Sequence, residues 1–242
     1  MVSGKAGDVA VETIEAWQDR LRTLIQGYAP EDIWNEDETG CFFRALPERS
    51  LADAKNNCRG GKKSKNRITL AFLVNAAGEK ELPIVIGRAA SPRCFKGIRD
   101  KKKPLGIPYY SNAKAWMDSV IMSNILTKFN WKLAQQNRKV LLFLDNVSSH
   151  SHELTDMFSH INVIFLPKNA TSRLQPLDAG IIKNFKVHYR KLIVKHALAK
   201  INGSSLTASQ ITKSIDLLTA IQWVKQAWGE VKSDTITNCF KH

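Results

Sequence analysis

Three aspartates stand where strand-like or helical patterns begin or end. Asp145 closes LLFLD and is followed by Asn146, Ser148, Ser149 and His150. Asp37 sits in IWNEDETG, just after a strand-like run, and Asp178 sits in LQPLDAG, at the entrance to a long helical pattern. The interval between Asp145 and Asp178 holds a helix, a strand and a loop, enough chain to return to the same end of a sheet. Three carboxylates from distant elements can therefore converge. Carboxylates pressed together repel and raise each other's pKa unless a cation compensates. Mg²⁺ takes oxygen ligands, keeps several waters, and needs only a few carboxylates plus substrate phosphates. Two such ions about 3.5–4 Å apart activate an attacking water or 3′-hydroxyl and stabilise the leaving oxygen of a phosphodiester. Spacing alone leaves plainer readings open. Asp178 can cap its helix, Asp37 can make a turn with Thr39 and Gly40, and Asp145 can be a strand-end turn residue.

The chain around these acids is basic. Lys and Arg number 36 against 22 Asp and Glu in 242 residues, a net charge of +14. That excess points to a polyanionic partner, nucleic acid first and an anionic membrane second. No apolar run approaches the roughly 20 residues that span a bilayer, and MVSGKAGDVAVE lacks the apolar core of a signal peptide. No membrane partner is expected. Cys41, Cys58, Cys94 and Cys239 are scattered without CxxC spacing, which disfavours structural zinc and a disulfide framework. The basic residues are grouped. Lys55, Arg59, Lys62, Lys63, Lys65 and Arg67 fall in a stretch without acids, beside Gly60 and Gly61, and can track a phosphate backbone. A second group runs from Arg93 to Lys103. On the long helix Lys183, Lys186 and Arg190 share one face that leads away from Asp178. Each group also reads as an ordinary solvated surface. A P-loop does not fit GGKKS, and a Ser148–His150–Asp145 hydrolase triad lacks a nucleophile elbow.

The elements that must position the acids follow from periodicity. Residues 10–27 read as an amphipathic helix, and IWNEDETGCFFRAL as two strand-like segments around Gly40. RITLAFLVN and LPIVIG form a hairpin with a turn near Ala77 and Gly78. Residues 89–111 read as irregular. Asn112 is expected to cap a helix running to about Gln136 with Trp116, Val120, Ile121, Ile125, Leu126 and Phe129 inward. VLLFLD and INVIFLP are buried strands. Residues 178–200 form a helix, and 206–242 are helical, with Trp223 and Trp228 in the core. Hairpin strands pair antiparallel, and later strands join in parallel through crossovers. The expected architecture is α/β, a mixed sheet flanked by helices, for which the ribonuclease-H-like fold is one solution.

The sequence resembles the DDE endonuclease domain of pogo and Tigger transposases, related to centromere-protein-B and jerky-like proteins. The matching stretches are WNEDETG, GGKKSKNRITL, LPIVIG with SPRCFKG, NAKAWM, LLFLDNVSSH, FLPKNATSRLQPLDAGIIKNFKVHYR and the terminal AW…TITNCF. The resemblance implies an RNase-H-like catalytic core over 31–202, with a helical lead-in at 1–30 and a C-terminal helical extension at 203–242. It implies that Asp37, Asp145 and Asp178 form a triad holding two divalent ions, Mg²⁺ or Mn²⁺, with His150 beside the second acid. DNA cleavage and strand transfer are the implied activity, in the nucleus, by a homodimer or larger assembly on DNA. A domesticated, catalytically silent DNA- or chromatin-binding module is the alternative. Family members usually carry two helix-turn-helix modules ahead of this domain; the match here begins near residue 8, so recognition of terminal repeats is not expected of it.

Overall fold

The computed structural model describes residues 11–45, 66–146, 154, 156–167, 174–201 and 208–241. Its centre is a six-stranded sheet built from β1 (Ile33–Cys41), β2 (Ile68–Asn75), β3 (Ile84–Gly87), β4 (Tyr109–Ser111), β5 (Val140–Leu144) and β6 (Ile161–Phe165). The spatial order is β4-β3-β2-β1-β5-β6. β1, β2 and β3 pair antiparallel, while β4, β5 and β6 join in parallel. The mixed sheet expected from the sequence is thus present, with antiparallel pairing where connections are local and parallel pairing after crossovers.

Helices cover both faces. α1 (Val11–Leu24) and α2 (Ser119–Gln135) precede the two parallel strands, and α3 (Ile182–Ile201) follows them. Three shorter helices close the chain: α4 (Ala208–Lys213), α5 (Leu217–Gly229) and α6 (Ser233–Cys239). β2 is buried along its whole length, which is why it reads as a nearly unbroken apolar run. Its Ala71 and Leu73 pack with Ile125, Leu126 and Phe129 of α2. Its Leu70, Phe72 and Val74 pack on the other face with α3 and α5. Phe72 stacks on Trp228 with ring centroids 4.4 Å apart and meets Phe185 at 5.0 Å. The C-terminal helices therefore complete the main core. Trp228 is buried and Trp223 partly buried against that cluster, as expected. α1 covers the far end of the sheet, with Trp17 edge-on to Phe143.

Several expectations are corrected. β1 does not break at Gly40; it runs unbroken from Ile33 to Cys41. Gly40 is a place of close packing, where a Cβ would stand 2.7 Å from Arg67 Nε. Residues 89–111 contain β4, a three-residue edge strand with no periodicity to betray it. The cap of α2 is Asp118, whose Oδ1 accepts from Ile121 N at 2.8 Å. Asn112 instead organises the turn ahead of the helix, and Trp116 and Val120 are exposed rather than inward.

The turn between β2 and β3 ties the hairpin to the C-terminus. Gly78 has φ +92°, a region side chains seldom enter. Ser233 Oγ donates to Gly78 O at 3.0 Å, and a Cβ on Gly78 would lie 2.2 Å from that hydroxyl oxygen. Gly78→Ala is expected to cost about 1–3 kcal/mol in urea unfolding. An unchanged midpoint would mean that α6 does not lock this turn.

Candidate active site

Register sets Asp37, which lies in the middle of β1 rather than after it, beside the end of β5. Ile33, Trp34 and Asn35 pair in parallel with Leu141, Leu142 and Phe143. Two residues further along each strand stand Asp37 and Asp145, on strands about 4.8 Å apart. Side chains alternate along a strand, so Asn35, Asp37, Thr39 and Cys41 share the face toward α3, and Glu36 and Glu38 point to the other. Asp37 is buried and Asp145 partly so.

Asp178 is brought in by a polar clasp of Asn35, which its sequence context did not reveal, and Gln175, whose place ahead of the helix suggests a loop-positioning role. Asn35 is fully buried. Its Nδ2 donates to Phe143 O at 3.1 Å and Glu36 O at 3.2 Å, and its Oδ1 accepts from Leu177 N at 3.1 Å. One amide thus joins the strand of Asp37, the residue two before Asp145, and the residue before Asp178. Gln175, also buried, adds a bond from Nε2 to Glu36 O at 3.1 Å. Leu177–Ile181 form a wide π-type turn leading into α3, with Leu177 and Ile181 buried and Asp178 on its outer side. Such turns recur at functional sites because the extra residue re-aims a side chain. Asp178 is therefore not a simple helix cap. The signal for Asn35 was an amide two residues before Asp37, and so on the same face of the strand.

The three carboxylates act on one another. Burial, then the carboxylates of Asp178, Glu38 and Asp145, push Asp37 well above the usual carboxylate range. The hydrogen bond that Glu38 N donates to Asp37 Oδ1, at 2.7 Å, opposes this only in part. Shielding of its carboxyl from water, then Asp145, raises Asp178, while Lys186 and a hydrogen bond with Asp37 pull it down. A carboxyl that binds its proton more tightly folded than unfolded adds stability below its unfolded pKa, about pH 4. That increment is lost as pH rises through the raised folded value. Asp37→Asn is expected to flatten this decline in EDTA. At pH 8 the variant should be more stable by about 1 kcal/mol or more, roughly 2–4 °C in Tm. Parallel Tm–pH curves for the two proteins would contradict the repulsion.

Lys186 was expected on an outward face and is instead half-buried. Its Nζ donates to Thr39 Oγ1 at 2.6 Å, beside the acids on β1. Burial lowers its pKa and Arg190 adds to this, while Cys41, Asp178 and Asp37 oppose it. Burial also pushes the Cys41 thiol up to about 12, against the pull of Lys186 and Arg190. Lys183 and Arg190 are exposed on α3. Arg67 lies against Gly40 at the start of β2. Lys62, Lys63, Lys65 and His150 fall outside the described residues.

Among the described residues, no group of three His, Cys, Asp or Glu side chains encloses a metal position as it stands. The chemistry of the donors nevertheless fits a divalent cation. Asp37, Asp145 and Asp178 offer hard oxygens, and their mutual repulsion is what such an ion would relieve. No helix among the described residues is long and apolar enough to cross a membrane.

The mixed sheet, its strand order and its flanking helices define an RNase-H-like fold. A crystal structure of the mariner Mos1 paired-end complex with Mg shares this fold, at a TM-score of 0.50 and 13% identity, over 93% of this chain and 60% of that one. The family model for DDE superfamily endonucleases matches residues 65–240, and the chain belongs to that family. It is 32% identical over 239 residues to Tigger transposable element-derived protein 4 of Mus musculus, covering 98% of this chain and 44% of that protein. It is 30% identical over 247 residues to CENP-B homolog protein 2 of Schizosaccharomyces pombe, covering 99% and 46%. The chain thus spans less than half the length of either relative. Asp145 and Asp178 lie within the family match, and Asp37 precedes it.

Proposed function

We propose that the chain is a metal-dependent DNA strand-cleavage and strand-transfer domain of the pogo/Tigger type, with Asp37, Asp145 and Asp178 as its metal-binding acids. The observation that supports this most is the register of β1 against β5, with Leu177 tied to Asn35, which sets Asp37 beside the end of β5 and holds the residue before Asp178 to the same strand. Bound Mg²⁺ or Mn²⁺ would supply charge neutralisation at the phosphodiester and an activated water or 3′-hydroxyl. The residues of the chain do the rest. Asp37, Asp145 and Asp178 hold the cation, and Asn35 and Gln175 keep their elements in place. Lys186, fixed to Thr39, offers positive charge where a phosphate would approach. Lys183 and Arg190, with Arg67 and the basic run that it ends, are suited to contact the DNA backbone. Nuclear residence, His150 beside the second acid and assembly on paired DNA belong to the same proposal.

The silent alternative draws on a specific observation, the absence of an enclosed three-ligand group among the described residues. The test is cleavage of a terminal-repeat duplex with Mg²⁺ or Mn²⁺ by the chain joined to a DNA-reading module. Metal-dependent nicking at the repeat end is expected. Tight DNA binding without nicking in either metal would favour the silent module.

A further inference from the structure

Trp116 is 55% exposed, yet the turn that carries it is firmly braced. Asn112 Oδ1 accepts from the N–H groups of Lys114 and Trp116, each at 3.2 Å. Asn112 Nδ2 donates to Trp116 O and to Asp118 Oδ2, each at 2.7 Å. Ala115, buried, has φ +53°, a conformation few residues other than Gly adopt. Its carbonyl is held by Thr69 Oγ1 at 2.7 Å. The chain thus keeps a strained backbone that holds a large apolar ring in water. Strain of this kind persists only where surrounding structure over-determines it, and it clusters at binding sites.

Arg67 completes the feature. Its guanidinium lies over the Trp116 ring, 5.1 Å from the centroid. It can reach that position because residue 40 is Gly; a Cβ there would stand 2.7 Å from Arg67 Nε. Arg67 Nε is buried against Gly40 and has no hydrogen-bond partner among the described residues, so only the Nη groups can face a ligand. Nη2 has only a long contact of 3.4 Å to Thr69 Oγ1. A flat ring joined to a partly exposed guanidinium matches an unpaired nucleotide, whose base stacks while its phosphate meets the outer Nη groups. Gly40 lies three residues beyond Asp37 on β1, roughly 10 Å along the strand. By the alternation of side chains along β1, Gly40 faces the other side of the sheet from Asp37, so the ring stands across β1 from the acids.

We infer that Trp116 and Arg67 form a stacking platform for an unpaired base of single-stranded or overhanging DNA. The platform rests on the DNA reading above but not on catalysis, so it is tested in EDTA. The probes are a fluorescein-labelled 12-nucleotide single strand and a blunt duplex of the same sequence, followed by anisotropy. Trp116→Ala is expected to weaken single-strand binding about 5- to 100-fold while duplex affinity stays unchanged. Trp116→Phe should retain most of the single-strand affinity, and both variants should melt like wild type because the ring is exposed. A 2-aminopurine base in the single strand should be quenched by wild type and not by Trp116→Ala. Unchanged single-strand affinity in Trp116→Ala overturns the platform, and is also the result if the ring instead receives a protein. Equal losses on strand and duplex overturn it too. Failure of wild type to bind either oligonucleotide would overturn the platform and the DNA reading together, whereas loss of metal-dependent cleavage alone would leave the platform standing.

Discussion

Asp145→Asn is expected to abolish the response to divalent cations and to cut metal-dependent strand cleavage by about a hundredfold or more. The carboxylate stands beside Asp37 at the end of the parallel pairing between β1 and β5. Converting it to an amide keeps the shape and removes one formal charge from the donor set. Metal-derived stabilisation of a transition state is worth several kcal/mol, and about 3 kcal/mol is roughly a hundredfold in rate. The fold should survive, because Asp145 is only partly buried and follows the last strand residue, Leu144. Wild type should gain Tm in millimolar Mg²⁺ or Mn²⁺ when DNA is bound, and Asp145→Asn should not. A variant that cleaves at the wild-type rate would remove Asp145 from the site.

Asn35→Ala should cost more stability than any acid substitution in the cluster. The side chain makes three hydrogen bonds, to Phe143 O, Glu36 O and Leu177 N, in a fully buried position. Its removal leaves an N–H and carbonyl groups without those partners, at about 1–3 kcal/mol for each unsatisfied group. A total of about 3 kcal/mol is expected in urea unfolding. The loss should not be confined to stability. Leu177 N is released, so the turn carrying Asp178 loses its tie to β1, and metal affinity should fall by about 10- to 100-fold, as when groups that orient metal ligands are removed. Asn35→Asp is the informative companion, because it retains an acceptor for Leu177 N but loses the donor to Phe143 O. If Asn35→Ala is destabilised and its metal affinity is unchanged, Asp178 is positioned by the wide turn alone.

The parts of the fold that were legible in the sequence are those in which apolar residues run unbroken through a fully buried strand or recur on a buried helix face. β2 and β5 are of the first kind and α3 of the second. Ile181, Ile182, Phe185, Tyr189 and Ile193 recur at helical spacing, and each is buried. The parts that were not legible depend on partners distant in sequence. β4 is too short for any period and exists because β3 offers it an edge. Gly40 resembles a chain break until Arg67 is seen packed against it. Asn112 has the composition of a cap, but Asp118 is better placed for the first turn of α2, and Asn112 is used to brace the turn before it. For the site, the acids stood out because Asp145 closes an apolar strand, Asp37 follows strand-like residues and Asp178 opens the long helix, although Asp37 in fact lies in the middle of β1. The Asn35 clasp did not, since a single amide in a strand acquires meaning only when Phe143 and Leu177 arrive beside it. Lys186 was assigned to an outward track from its spacing alone. Spacing shows which residues share a helical face, not which way that face turns relative to β1.

The central claim is that Asp37, Asp145 and Asp178 share a divalent cation. The most direct test is a crystal of the chain, joined to a DNA-reading module and bound to terminal-repeat DNA in Mn²⁺, with the anomalous difference map calculated at the manganese edge. The account predicts a peak bounded by Asp37, Asp145 and Asp178, lost in the Asp145→Asn protein. Manganese bound elsewhere, or no peak at these acids with DNA in place, would contradict it.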